Sequence, residues 1–239
     1  MIKLQHLTKK FGDFTAVDDL NLEIKPGEFY GFLGPNGAGK TTTIKIMTGL
    51  FAPTSGSVLI NAYDIRKQPI EAKMAIGYVP DQPFLYEKLT GREFLYFSAG
   101  LYEMNHQKTT DRIKDLISHF EIGPWIDQRT ENYSQGMRQR IVIASALLHD
   151  PNVLIIDEPM VGLDPRSAHI VKETFRNKSR EGVSIFMSTH SLNVAEELCD
   201  RIGIIKDGRL VFEESTDILS RLKSKSDGKF ESIFLELTK

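Results

Sequence analysis

Phe29-Tyr30-Gly31-Phe32-Leu33-Gly34-Pro35-Asn36-Gly37-Ala38-Gly39-Lys40-Thr41 is the most informative stretch of this chain. Its first five residues form a short apolar run ending in glycine, the pattern of a buried strand. The remainder fits G-x-x-x-x-G-K-[ST], and the residues from about 41 to 49 read as a helix. Glycines let the backbone close around an anion, and the loop N–H groups and the helix N-terminus then point at phosphates. Lys40 would set a positive charge on the outer phosphates, and the Thr41 hydroxyl would hold Mg²⁺.

Working outward, Val153-Leu154-Ile155-Ile156-Asp157-Glu158 is a second buried strand, ending in two acids. A strand of this kind beside the phosphate loop would bring Asp157 to Mg²⁺ and Glu158 to an attacking water. Two adjacent carboxylates repel, so a cation between them and the phosphates makes chemical sense.

Around these two strands the chain alternates in character. Ile2, Leu4 and Leu7, then Leu20, Leu22 and Ile24, give near-alternating strands with a turn at Pro26-Gly27. Further strands are expected at 58–60, 76–79, 183–187, 202–205 and 209–212, the last two joined by a Lys206-Asp207-Gly208 turn. Between 81 and 150 the spacing becomes helical, as in Ile113, Leu116, Ile117 and Phe120, or Met137, Ile141, Ala144 and Leu148. Further helices fit 168–175 and 192–198. The fold expected is α/β: a P-loop NTPase core with a mainly parallel sheet, an N-terminal antiparallel β part and an inserted α-helical subdomain. Residues 1–82 and 150–239 would form the core and 83–149 the helical subdomain, within one domain.

Composition bounds the rest. The chain has 239 residues, 41% hydrophobic and 26% charged, which excludes wholesale disorder. The net charge of −2 provides no strongly basic footprint for nucleic acid. A single cysteine, Cys199, excludes an intramolecular disulfide. No run approaches the roughly 18 apolar residues of a membrane span, and the first residues lack the apolar core of a signal peptide. The expected place is the cytosol, with any membrane role supplied by a partner.

The ordered motifs resemble the ATP-binding subunit of an ABC transporter along essentially the whole chain. Phe11-Gly12 stands where that family stacks an aromatic on adenine. Tyr133-Ser134-Gln135-Gly136-Met137 stands where the family has its L-S-G-G-Q signature, keeping the serine and the second glycine. Gly162-Leu163-Asp164-Pro165 resembles the D-loop and Ser188-Thr189-His190 the switch-histidine segment. The resemblance implies ATP contacts from Phe11, Gly34, Asn36, Gly37, Ala38, Gly39, Lys40, Thr41 and Thr42. From a second ATP-binding subunit, identical or different and placed head-to-tail, it implies contacts from Ser134, Gln135, Gly136 and Asp164. His190 would contact the γ-phosphate and hold the water that Glu158 activates. Ser134 also has a physical logic of its own, because it opens a helix whose N–H groups make an anion site.

One departure stands out. The family has glutamine after the strand at 76–79 and its proline; here that position is Asp81, with Gln82 next. Aspartate only accepts when ionised, whereas glutamine also donates. Either Asp81 keeps the metal contact or a small loop shift lets Gln82 serve. No zinc-like spacing occurs, so Mg²⁺ is the only metal implied.

Phe84, Tyr86, Phe94, Tyr96, Phe97 and Tyr102 crowd one short stretch and cannot share one helical face. In the family, a groove here receives a cytoplasmic helix of a multi-spanning permease subunit. The segment at 85–93 and the tail at 230–238 resemble the exporter branch that handles drugs, sodium or polysaccharides, while Lys223, Lys225, Asp227 and Gly228 read as a solvated turn. The implied function is an ATP-hydrolysing subunit that powers a membrane exporter from the cytoplasmic face of the cell membrane. A soluble ABC-type ATPase acting in assembly or repair is the alternative.

Overall fold

The computed structural model describes residues 1–218; the tail at 230–238 and the turn at 223–228 lie outside the described residues. Strands β1 (Ile2–Phe11) and β2 (Phe14–Ile24) form an antiparallel hairpin pairing Ile2 with Ile24, Leu4 with Leu22 and Leu7 with Leu20. Leu7 follows Leu4 by three positions, the wrong parity for one strand face. The register shifts between them, with His6 at φ 50°, and this bulge returns Leu7 to the core. Strand β3 (Phe29–Leu33) then leads into the glycine loop and helix α1 (Lys40–Met47). Strands β4 (Ser55–Ile60) and β5 (Tyr63–Asp64) complete a four-stranded sheet of order β2-β1-β4-β5.

Helix α2 (Pro69–Met74) precedes β6 (Ile76–Val79). The helical stretch follows: α3 (Gly91–Leu101), α4 (His106–His119), a 3-10 turn at Thr130–Asn132 and α5 (Gln135–Leu147). The chain then runs through β7 (Val153–Asp157), α6 (Pro165–Arg180), β8 (Ser184–Thr189), α7 (Leu192–Leu198), β9 (Arg201–Lys206) and β10 (Arg209–Ser215). The second sheet has the order β10-β9-β3-β8-β7-β6. Its members from β9 to β6 are parallel, and β10 is an antiparallel edge.

Every residue of β3, β7 and β8 is buried, as both-faces-covered parallel strands require. Alternate residues feed two apolar layers. Phe29, Leu33, Leu154, Ile156, Ile185 and Met187 face the layer packed by α3–α7. Tyr30, Phe32, Val153, Ile155 and Phe186 face the layer built with the antiparallel sheet and α1. Helix starts match their local chemistry. Thr90 and Glu93 form a capping box on α3, Ser134 caps α5, and Asp164 with Pro165 opens α6. Three elements escape the sequence reading: β5, α2 and the 3-10 turn are each too short to display a period.

Candidate functional site

The loop at 34–39 links β3 to α1 and is clamped from the far end of the chain. A Cβ on Gly34 would lie 2.3 Å from the Ile205 carbonyl oxygen, and one on Gly39, at φ 109°, 2.5 Å from that of Ala16. Glycine is therefore needed at both positions. The β9–β10 turn closes the clamp: Gly208 N–H donates to the Ala38 carbonyl (3.0 Å) and the Gly208 carbonyl accepts from Asp18 N–H (2.9 Å). Gly39, the residue before α1, supplies no side-chain cap to the first-turn N–H groups of that helix.

Lys40 is buried, and its Nζ donates to the Gly34 and Pro35 carbonyl oxygens at 2.6 and 3.0 Å. Burial pushes its pKa down, while the charges of Glu158 and Asp157 oppose that shift. The ammonium thus sits within electrostatic reach of both acids.

The acids stand at the C-terminal end of β7, beside β8. Asp157 and Ser188 are register partners, and the Ser188 hydroxyl donates to Asp157 Oδ1. Burial raises the Asp157 pKa most, the Ser188 hydrogen bond opposes it, and the Asp81 and Glu158 charges add to it. Glu158, at φ 46°, turns out of the strand; its N–H donates to the Ser188 carbonyl (3.1 Å). Its carboxylate accepts from Thr189 Oγ1 (3.2 Å) and from His190 Nδ1 (2.8 Å). Tyr78 is pushed up to about 12 by burial, then by Asp157 and Asp81.

A cavity of about 680 Å³ joins these groups, within the usual range for ligand sites. Gly34, Asn36, Gly37, Gly39, Lys40, Thr41, Thr42, Asp81, Asp157, Glu158 and His190, all singled out in the sequence, line it together. Phe14, Ala16, Pro35 and Val161 line it as well and carry no signal of their own in the sequence. Ser188 was legible only as part of its segment; its bond to Asp157 follows from strand register.

Several anticipated residues lie elsewhere. Phe11 does not line the cavity: its ring packs edge-on against Phe51 at 5.7 Å, with Lys9 Nζ 4.8 Å from its centroid. Its hairpin partner Phe14 lines the cavity instead. Ala38 is buried with its carbonyl turned to Gly208. Gln82 is exposed one residue beyond Asp81 and outside the lining. Ser134, Gln135, Gly136 and Asp164 are also outside it. The Ser134 hydroxyl accepts from Met137 N–H (3.3 Å). Gln135 and Gly136 pack on Gly162: a Cβ on Gly136 would stand 2.7 Å from the Gly162 carbonyl. Asp164 is occupied as a helix cap, accepting from Arg166 N–H, Ser167 N–H and Ser167 Oγ, and the Ser167 hydroxyl lowers its pKa.

The aromatic stretch divides. Tyr86 meets Phe84, Phe94 and Phe97 with centroids 5.7, 6.5 and 5.2 Å apart, and Phe84, Tyr86 and Phe97 are exposed. Tyr96 turns to Thr110, and Tyr102 stacks on His149 at 3.6 Å, so these two serve internal packing.

The Thr41 hydroxyl and the Asp81 and Asp157 carboxylates are hard oxygen donors around one cavity, which suits a divalent cation such as Mg²⁺. Among the described residues no group of three or more His, Cys, Asp or Glu could hold a metal on its own. Phosphate oxygens and water would complete such a shell.

A family model described as "ABC transporter" matches residues 17–161. The linearmycin resistance ATP-binding protein LnrL of Bacillus subtilis (strain 168) is 37% identical over 223 residues, covering 93% of this chain and 72% of that protein. A solved ATP-binding subunit of an ABC transporter superposes with a TM-score of 0.92 at 31% identity, covering 100% of both chains. The dimeric post-hydrolysis structure of the ATP-binding cassette MJ0796, bound to ADP and Pi, superposes with a TM-score of 0.82 at 29% identity over 90% of this chain and 99% of that one. Loop, acids and histidine surround one cavity on the fold these proteins share, and the chain belongs to the ABC transporter family as one of its ATP-hydrolysing cassettes.

Proposed function

We propose that this chain powers a membrane exporter by ATP-driven dimerisation, bound at the cytoplasmic face of the cell membrane through a multi-spanning permease subunit. The observation that carries the reading is the position of Glu158, held by Thr189 and His190 at the rim of the cavity that also contains Lys40. Lys40, the loop amides and the α1 N-terminus bind the phosphates, and an aromatic of the Phe11–Phe14 pair stacks on the base. Thr41 and Asp157, with Asp81 or Gln82, would hold Mg²⁺, which when bound neutralises phosphate charge. Glu158 orients and deprotonates the attacking water. His190 holds Glu158 and approaches the γ-phosphate.

Ser134, Gln135 and Gly136 lie off the chain's own cavity, which supports their use on the nucleotide of a second ATP-binding subunit. Residues 83–149 act as the helical subdomain of this machine and the remainder as its core. The exposed Phe84, Tyr86 and Phe97 support a protein partner beside α3. No helix among the described residues is long and apolar enough to cross a membrane.

The test is Glu158→Gln with Mg²⁺–ATP. The variant is expected to bind ATP, turn over slowly and form a dimer by light scattering. Affinity capture from detergent-solubilised membranes should return a multi-spanning protein in stoichiometric amount. Rapid steady-state hydrolysis would remove Glu158 as the base. Capture of soluble proteins alone would move the reading to an assembly or repair ATPase.

A further inference from the structure

One departure from the family's signature, Tyr133, makes a buried contact with the start of α3. Tyr133 replaces the family's leucine directly before Ser134, and Gly91 is the first residue of α3. Tyr133 is 5% exposed. Its hydroxyl accepts from Gly91 N–H at 3.1 Å and shares its single proton between the carbonyls of Trp125 (3.1 Å) and Ile126 (3.2 Å). A Cβ on Gly91 would stand 2.5 Å from that hydroxyl, so the two positions are matched in size. Around them the segment before α3 is stitched to the segment before α5. Thr130 N–H donates to the Leu89 carbonyl (2.9 Å) and Thr130 Oγ1 to that of Tyr86 (2.9 Å). The Tyr133 carbonyl in turn accepts from Arg138 Nε (3.2 Å) on α5.

Leucine at position 133 could fill the volume but would leave the Gly91 N–H without this acceptor, whereas the Ile126 and Trp125 carbonyls would keep the Arg92 and Gln128 N–H groups as donors. The hydroxyl satisfies a buried N–H at the start of one helix while its own backbone leads into the cap of another. We infer that Tyr133 is a positioning residue for Ser134. Its hydroxyl, seated over Gly91, fixes where the α5 N-terminus stands relative to α3, and so where Ser134 meets the ATP of the opposing subunit. This rests on the proposal that Ser134 caps that ATP.

Tyr133→Phe removes the hydroxyl, and Gly91→Ala displaces it from the other side. Each is expected to leave ATP affinity of the separate subunit within about twofold. Each should lower kcat, and ATP-driven dimerisation in the Glu158→Gln background, by about tenfold, as one buried partner is lost. The double variant Gly91→Ala/Tyr133→Phe should be no worse than either single one, because the closest obstacle to the new methyl is the hydroxyl itself. Losses that multiply to about a hundredfold would overturn the pairing. A lower Tm with unchanged kcat would reduce Tyr133 to packing and overturn the inference. Ser134→Ala, measured alongside, separates the levels. If it abolishes dimer-dependent turnover while Tyr133→Phe does not, only this inference fails. If Ser134→Ala is without effect, the reading of the cap fails and takes the inference with it.

Discussion

Ser188→Ala isolates one hydroxyl between two sequence-distant strands. Ser188 is fully buried, Asp157 nearly so, and the hydroxyl donates to the carboxylate across the β7–β8 register. A hydrogen bond to a charged group contributes about 1.5–3 kcal/mol, and one to a neutral group about 1 kcal/mol. The loss at neutral pH should therefore be about 2 kcal/mol. It should depend on pH, because the bond favours the ionised carboxylate and burial has already raised its pKa. Removing the hydroxyl raises the folded-state pKa further. Above that pKa the full charge-assisted loss is felt. As pH falls through it, Asp157 protonates in both proteins and only about 1 kcal/mol remains. Urea unfolding of nucleotide-free wild type and variant, near neutrality and near pH 4, measures both values. An equal loss at the two pH values, or a larger one in acid, would refute the argument that Ser188 serves the ionised form.

Four further outcomes are expected. Lys40→Ala should weaken ATP binding at least tenfold by equilibrium titration, since it removes the cation at the loop's centre. Of the two hairpin aromatics, Phe14→Ala should weaken ATP more than Phe11→Ala if the cavity lining governs base stacking; the reverse order in the same titration would return that role to Phe11. Asp81→Asn should change the Mg²⁺ dependence of hydrolysis while Gln82→Ala leaves it unaltered, and an effect confined to Gln82→Ala would reverse the assignment. His149, half-buried and stacked on Tyr102, has its pKa lowered to about 4 by desolvation and stays neutral in the fold above that pH. As pH falls from 6.5 to about 4 the unfolded chain alone takes up that proton, costing about 3 kcal/mol, and a His149→Asn variant should show a flatter pH slope in urea unfolding.

The residues that sequence made legible are those whose function needs a local pattern. The loop at 34–39 needs glycines in a row, β7 needs an apolar run before its acids, and Ser134 needs to precede a helix. Each requirement is visible within a dozen residues. Contacts set by register or by distant packing were not visible. Phe11 and Phe14 lie on the same hairpin, and only the position of Phe51 shows which ring is engaged elsewhere. The bond between Ser188 and Asp157 depends on strand order. Asp164 matches a motif, yet in this chain its oxygens are committed to α6. Tyr96 and Tyr102 looked like their exposed neighbours, but Thr110 and His149 turn them inward. The short β5 and α2 lacked the length to show any period.

The place of β3 in its sheet has a consequence for how the chain is made. Its neighbours are β8 and β9, whose paired residues lie more than roughly 150 positions further along, and the turn that clamps the loop comes later still. At common rates of synthesis, those partners leave the ribosome on the order of ten seconds after the glycine loop. During that interval β3 exposes two unpaired edges and an apolar face. The loop cannot yet hold its shape, because Ala16, Ile205 and Gly208 do not surround it together. Nucleotide affinity is thus a property of the finished chain, and ATP capture by ribosome-bound fragments of increasing length should rise abruptly once Gly208 has emerged.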